Sequence, residues 1–196
     1  GMGAYSPSRL INNELQSKID EKIIKPTLKG LRDLNSDYIG FLYVGLMIIN
    51  NEPFLIEFNV RMGDPECQTI LPLLNSDLGK IIHSCCTKNL SSTEIKWLNK
   101  KSLCIVLCSN GYPDKYNKNV KIENLNKLKL NESSLVFHAG TKLVDKDIFA
   151  TGGRVLNIVN VSNSFAESKK QVLTILKDIN WNKGFYRKDI GYKVIS

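Results

Sequence analysis

The stretch Ile56-Glu57-Phe58-Asn59-Val60-Arg61-Met62 alternates apolar and polar residues without a break, and it constrains the fold more than any other part of the chain. A period of two is the mark of a strand with one face packed and the other open. Ile56, Phe58, Val60 and Met62 are expected to pack behind it, while Glu57, Asn59 and Arg61 share the open face. That trio has two readings. One is an ordinary solvated face. The other is a place where a divalent cation and an anion sit side by side. Oxygens from Glu57 and Asn59 suit magnesium, which keeps waters and phosphate oxygens for the rest of its shell. The planar fork of Arg61 suits a carboxylate or a phosphate. Gly63-Asp64-Pro65-Glu66 then turns the chain, with Asp64 expected as a helix N-cap and Pro65 at the first helical position.

Composition narrows the class. The 196 residues, 42% hydrophobic and 23% charged, can bury a sizeable core in one large domain or two small ones. The longest apolar runs are far too short to cross a bilayer and no signal-peptide pattern opens the chain, so a cytoplasmic protein without a membrane partner is expected. Five cysteines without a C-x-x-C pair, and only two histidines, argue against zinc. The odd cysteine count argues against a disulfide framework, and Cys104 and Cys108, bracketing an apolar run, read as buried, reduced and inert. The net charge of +8 raises the possibility of a nucleic-acid partner, but the lysines are scattered and no aromatic and basic residues interleave. No nucleic acid is expected; a basic surface would still attract phosphorylated substrates.

Along the chain, apolar spacing predicts a helix from Asn12 to about Lys25, broken or kinked by Pro26, with a second short helix after it. Tyr38–Ile49 and Phe54–Met62 are expected as two strands joined at Asn50-Asn51-Glu52-Pro53. Pro72 should interrupt the helix after the Asp64 turn, and Asn75-Ser76-Asp77 should recap a second carrying Leu78, Ile81, Ile82 and Cys85 on one face. His83 falls off that stripe and reads as a surface residue. Leu103–Cys108 opens a run of short strands at Leu135–His138, Lys142–Val144, Ile148–Ala150 and Arg154–Val161. Ser164 and Glu167 form a capping-box pattern before a helix carrying Phe165, Val172, Leu176 and Ile179, and Tyr186–Ile195 is expected as a final strand. His138 reads as either a structural or a catalytic histidine.

Several of these motifs, in order and at a common spacing, carry a resemblance. Gly1-Met2-Gly3-Ala4-Tyr5-Ser6-Pro7, Tyr38–Met47, Ile56–Glu66, Val136-Phe137-His138-Ala139-Gly140-Thr141, Thr151-Gly152-Gly153-Arg154-Val155-Leu156 and Tyr186–Tyr192 together resemble the glycinamide ribonucleotide synthetases. These phosphoribosylamine–glycine ligases belong to the ATP-grasp superfamily. The resemblance implies an α+β chain made of the C-terminal half of an ATP-grasp subdomain (1–100) and a small β-rich C-terminal domain (101–196). The N-terminal half, with the adenine-binding hinge, would lie outside this sequence, although a Gly-Met start could also be a cloning remnant. Asn110 stands where the family usually has a glycine.

The activity implied is ATP- and magnesium- (or manganese-) dependent joining of glycine to 5-phosphoribosylamine in purine synthesis, through a glycyl phosphate. Glu57 and Asn59 would be the metal ligands and Arg61 the catalytic cation on the transferring phosphoryl. Gly1, Met2, Gly3, Asp64 and Glu66 would bind substrate. Arg154 would hold the substrate phosphate or, equally, form an interdomain ion pair. Many ATP-grasp enzymes carry another acid on the neighbouring strand, where this chain has Gly45 and Leu46. The intact enzyme is expected to be a monomer, and the isolated chain inactive. The rivals are a non-catalytic interaction module and, further off, a basic nucleic-acid-binding domain.

Overall fold

The structure, a computed structural model, describes residues 1–195. It is α+β and forms two compact units, neither continuous in sequence. Unit 1 comprises Gly1–Pro7, Asp64–Leu73 and the chain from Leu98 onward; unit 2 comprises Ser8–Gly63 and Leu74–Trp97.

Unit 1 is built on β4 (Lys101–Ser109) and β9 (Arg154–Ser162), both almost entirely buried. Their apolar runs are those of strands covered on both faces. The sheet order is β1 (Gly3–Ser6), β4, β9, β6 (Ser134–His138), and β10 (Gly184–Phe185) pairs with the far end of β4. One face is covered by α5 (Phe165–Ile179), whose buried Phe165, Val172, Ile175, Leu176 and Ile179 recur at helical spacing. Val172, Ile175, Leu176 and Ile179 pack with Leu103, Ile105, Leu156 and Ile158. Each fully buried aliphatic side chain contributes about 1.5–3 kcal/mol. Ser164 caps this helix as its spacing predicts, accepting from the Glu167 amide at 3.2 Å. Cys104, Val106, Cys108 and Val159 form a second cluster, separate from that core. A short helix, α3 (Glu66–Ile70), also packs on β1, β4 and β9. A second sheet, β5 (Val120–Lys121), β8 (Asp147–Ala150) and β7 (Thr141–Val144), completes the unit.

The end of unit 1 differs from expectation. Tyr186–Ile195 is not a strand: past β10 the chain turns and closes in a helical turn, Tyr192–Ile195. Arg187 folds back onto Asp189, the Tyr192 amide bonds the Asp189 carbonyl, and Gly191 takes φ +79°. At the 109–113 turn the left-handed residue is Gly111 (φ +96°), where a Cβ would lie 2.1 Å from the Lys115 carbonyl oxygen. Asn110 is not asked to replace a glycine.

In unit 2, α1 (Asn13–Ile19) is capped by Asn12 and runs through a π-turn at Asp20–Ile24 into α2 (Lys25–Asp33). The helical run is not broken at Pro26, though the expected second short helix does begin beside it, at Lys25. Proline lacks an N–H and is tolerated in the first turn of a helical segment, and the π-turn places it there. The hairpin is β2 (Tyr43–Ile49) and β3 (Glu52–Asn59), shorter than expected at its open end and reaching closer to the turn, where β3 begins at Glu52. Asn50 and Asn51 both have φ near +55°, at 51° and 60°, which is what a two-residue turn matching strand twist requires. Residues 38–42 are not strand; Gly40 takes φ +141° and the Tyr38 hydroxyl donates to the Phe41 carbonyl. The ladder therefore ends at the Tyr43–Asn59 pair. Asp77 caps α4 (Leu78–Cys86) through the Lys80 amide at 2.9 Å. None of its expected apolar stripe is fully buried, and His83 is exposed.

Candidate functional site

The expected site residues fall into two groups, one in each unit. In unit 2, Glu57 and Asn59 lie two positions apart on β3, and Asn59 Nδ2 donates to Glu57 Oε1 at 3.1 Å. They share a face, as the alternation requires. Gly45, opposite Glu57 in the hairpin, leaves its stem room: a Cβ there would come within 3.1 Å of Glu57 Cγ. One exposed carboxylate and one amide oxygen on a common face can serve a hard cation whose shell is completed by water or phosphate. Among the described residues no cluster of three or more His, Cys, Asp or Glu side chains suited to a metal ion occurs.

Two expectations about this strand are corrected. Arg61 lies beyond the end of β3, exposed, with Nη1 donating to the Met62 carbonyl at 2.9 Å. The opposite face is not a packed one either. Phe58 is half-buried, but Ile56 is 62% and Val60 75% exposed. β2 and β3 form a sheet of only two strands. Ile56 is the extra residue where the ladder shifts register, Gly45 facing Glu57 and Leu46 facing Leu55, and Val60 lies past the end of β3.

In unit 1, Gly1 and Gly3 open the chain, with Gly3 in β1 opposite Ile105 and the Met2 carbonyl accepting from the Val106 amide. Protein atoms fill the space a side chain would need: a Cβ on Gly1 would lie 2.9 Å from Pro65 Cδ, and one on Gly3 would lie 2.8 Å from the Cys104 carbonyl oxygen and from Ile190. Glu66 begins α3. Asp64 is not its N-cap. The helix begins after Pro65 without a side-chain cap, because the Asp64 carboxylate is engaged elsewhere, by Arg154 Nη2 at Oδ2 (3.0 Å) and Gln68 Nε2 at Oδ1 (3.3 Å). Arg154 thus makes the ion pair that was one of its two readings, across the expected boundary at residue 100 but within a single compact unit. Gln68 is a residue that sequence reasoning missed; its signal was the four-residue spacing from Asp64 into a helix. His138 is exposed and its Nδ1 lies 2.9 Å from Thr141 Oγ1.

Known families match the chain in two consecutive stretches, the first of which takes in segments of both units. The family model described as phosphoribosylglycinamide synthetase, ATP-grasp (A) domain, matches residues 1–67, and that for the C domain of the same synthetase matches residues 102–193. The phosphoribosylamine–glycine ligase of Brucella melitensis is 38% identical over the whole chain, which covers 46% of that protein. The chloroplastic phosphoribosylamine–glycine ligase of Arabidopsis thaliana is 41% identical, again over the whole chain, which covers 37% of it. A crystal structure of phosphoribosylamine–glycine ligase from Thermotoga maritima superimposes with a TM-score of 0.81 at 28% identity, over 97% of this chain and 46% of that one. The chain therefore spans about half the length, or less, of these relatives. With two domain models of one family taking up most of its residues in order, the chain belongs to the phosphoribosylglycinamide synthetase family of the ATP-grasp superfamily.

Proposed function

We propose that this chain supplies the metal and phosphate side of an ATP-dependent ligase that joins glycine to 5-phosphoribosylamine. The observation that carries the reading is the shared face of Glu57 and Asn59, 3.1 Å apart on β3 within the part of the chain that matches an ATP-grasp domain. Glu57 and Asn59 would hold magnesium or manganese through a carboxylate and an amide oxygen. When bound, the metal disperses phosphate charge during transfer. Arg61, exposed and just past the strand, supplies a permanent cation for the transferring phosphoryl or the acyl phosphate. Met2 and the amides of Gly1 and Gly3 would contact substrate, with Asp64 and Glu66 as acceptors for an amine or ribose hydroxyl. Five free cysteines suit a reducing compartment such as the cytoplasm, and a monomer is the proposed state of the whole enzyme.

In a protein of the relatives' full length carrying this sequence, Glu57→Gln or Asn59→Ala is expected to abolish glycine-dependent ADP release while leaving the unfolding temperature within about 3 °C, since both side chains sit outside the core. Near-normal rates at limiting magnesium would assign the metal to other residues. The 196-residue chain alone is expected to bind ATP-magnesium weakly and to turn over none. Micromolar affinity by calorimetry, or measurable turnover, would make it a complete catalytic unit.

A further inference from the structure

Arg154 sits where three stretches of unit 1, distant in sequence, come together. It opens β9 at an irregularity in the ladder, where Cys108 of β4 pairs with Arg154 and Leu107 with Leu156. From there Nη1 donates to the Asp64 carbonyl at 2.6 Å and to the Gly1 carbonyl at 3.3 Å, while Nη2 donates to Asp64 Oδ2 at 3.0 Å. Gln68 Nε2 takes the remaining carboxylate oxygen. Three of the five guanidinium N–H groups are thereby committed to protein, and both carboxylate oxygens of Asp64 have donors.

We propose that Arg154 is a positioning residue and not a ligand of the substrate phosphate. It ties Gly1, at the head of the glycine loop, to Asp64, the residue at which the chain re-enters unit 1 after the metal-face strand, and so holds both in one fixed cradle. Its part in the reaction rests on the reading above that this loop and Asp64 meet the substrate. A planar fork is needed because the acceptors belong to two separate backbone segments and one carboxylate. A lysine ammonium supplies charge without that pre-set geometry.

The test uses the 196-residue chain with Arg154→Gln, Arg154→Lys and Asp64→Asn, read by hydrogen exchange, thermal unfolding and titration with ribose 5-phosphate. Charge-assisted bonds of this kind hold local opening down by about ten-fold or more, so Arg154→Gln should raise exchange by that factor in residues 3–5 and 64–68. Amides of α5 should stay within about two-fold, because their protection comes from core packing. Lysine should restore the protection only in part, and Asp64→Asn should loosen residues 64–68 more than residues 3–5. Sugar-phosphate affinity should fall in step with the loosening. Unchanged exchange in both segments overturns the proposal; if binding is lost at the same time, Arg154 is the phosphate ligand. A uniform rise across unit 1 also overturns it, since that is general destabilisation. If the unsubstituted chain binds no ribose 5-phosphate, the substrate reading fails, and the exchange data still decide the cradle.

Discussion

At the scale of single residues, the thiols separate cleanly by environment. Burial pushes the Cys104 thiol up to about 12, with the nearby Thr69 hydroxyl opposing, and pushes Cys108 up to about 11 against the pull of the Arg154 guanidinium. The thiolate is the reactive form, so neither should react while unit 1 is folded. Native alkylation at pH 8 followed by peptide mapping should modify exposed Cys86 and leave Cys104 and Cys108 untouched until denaturant is added. Labelling of Cys104 at a rate comparable to Cys86 would mean that β4 opens readily. Their burial was legible in the apolar run of β4 that they bracket. The Arg154–Asp64 pair was not, because nothing local relates two residues 90 positions apart.

At the scale of elements, α1 and β3 are tethered by one carboxylate. Glu52, at the start of β3, receives Lys18 at 2.7 Å and Lys22 at 2.6 Å, and these two partners hold its carboxyl at about 2, against an ordinary 4.5. A depressed acid stabilises only while ionised in the folded state. The tether is therefore complete above about pH 4.5 and is lost as pH falls toward 2. Lys18, raised by Glu52 and Glu14, sets the opposite limit, above its ordinary 10.5. A carboxyl titration by NMR should place Glu52 at about 2, well below the ordinary 4.5, and Glu52→Gln should remove the acid-induced loosening of α1. An ordinary midpoint for Glu52 would show that the tether is not formed. Propensity foretold both elements. It foretold a second short helix near Pro26 but not that the helical run continues into it, because a π-turn can absorb a proline that an uninterrupted α-helix cannot.

At the scale of the whole molecule, unit 2 exposes Met47, Ile49, Phe54, Leu55, Ile56 and Val60 from one hairpin. A short two-stranded sheet with that much apolar surface in water favours association. Sedimentation should detect concentration-dependent self-association of the isolated chain, weakened by Ile56→Lys and Val60→Lys together; a monomer unaffected by concentration would count against it. The period of two by itself determined that Glu57 and Asn59 share a face, since alternation is a property of the extended backbone. The Ser164 and Glu167 pattern likewise determined where α5 begins, because that hydrogen bond is local. Only the tertiary structure decided that Val60 is exposed and that Asp64 answers to Arg154 instead of capping a helix. Burial and long-range pairing depend on which segments meet in space, and local spacing carries no record of that.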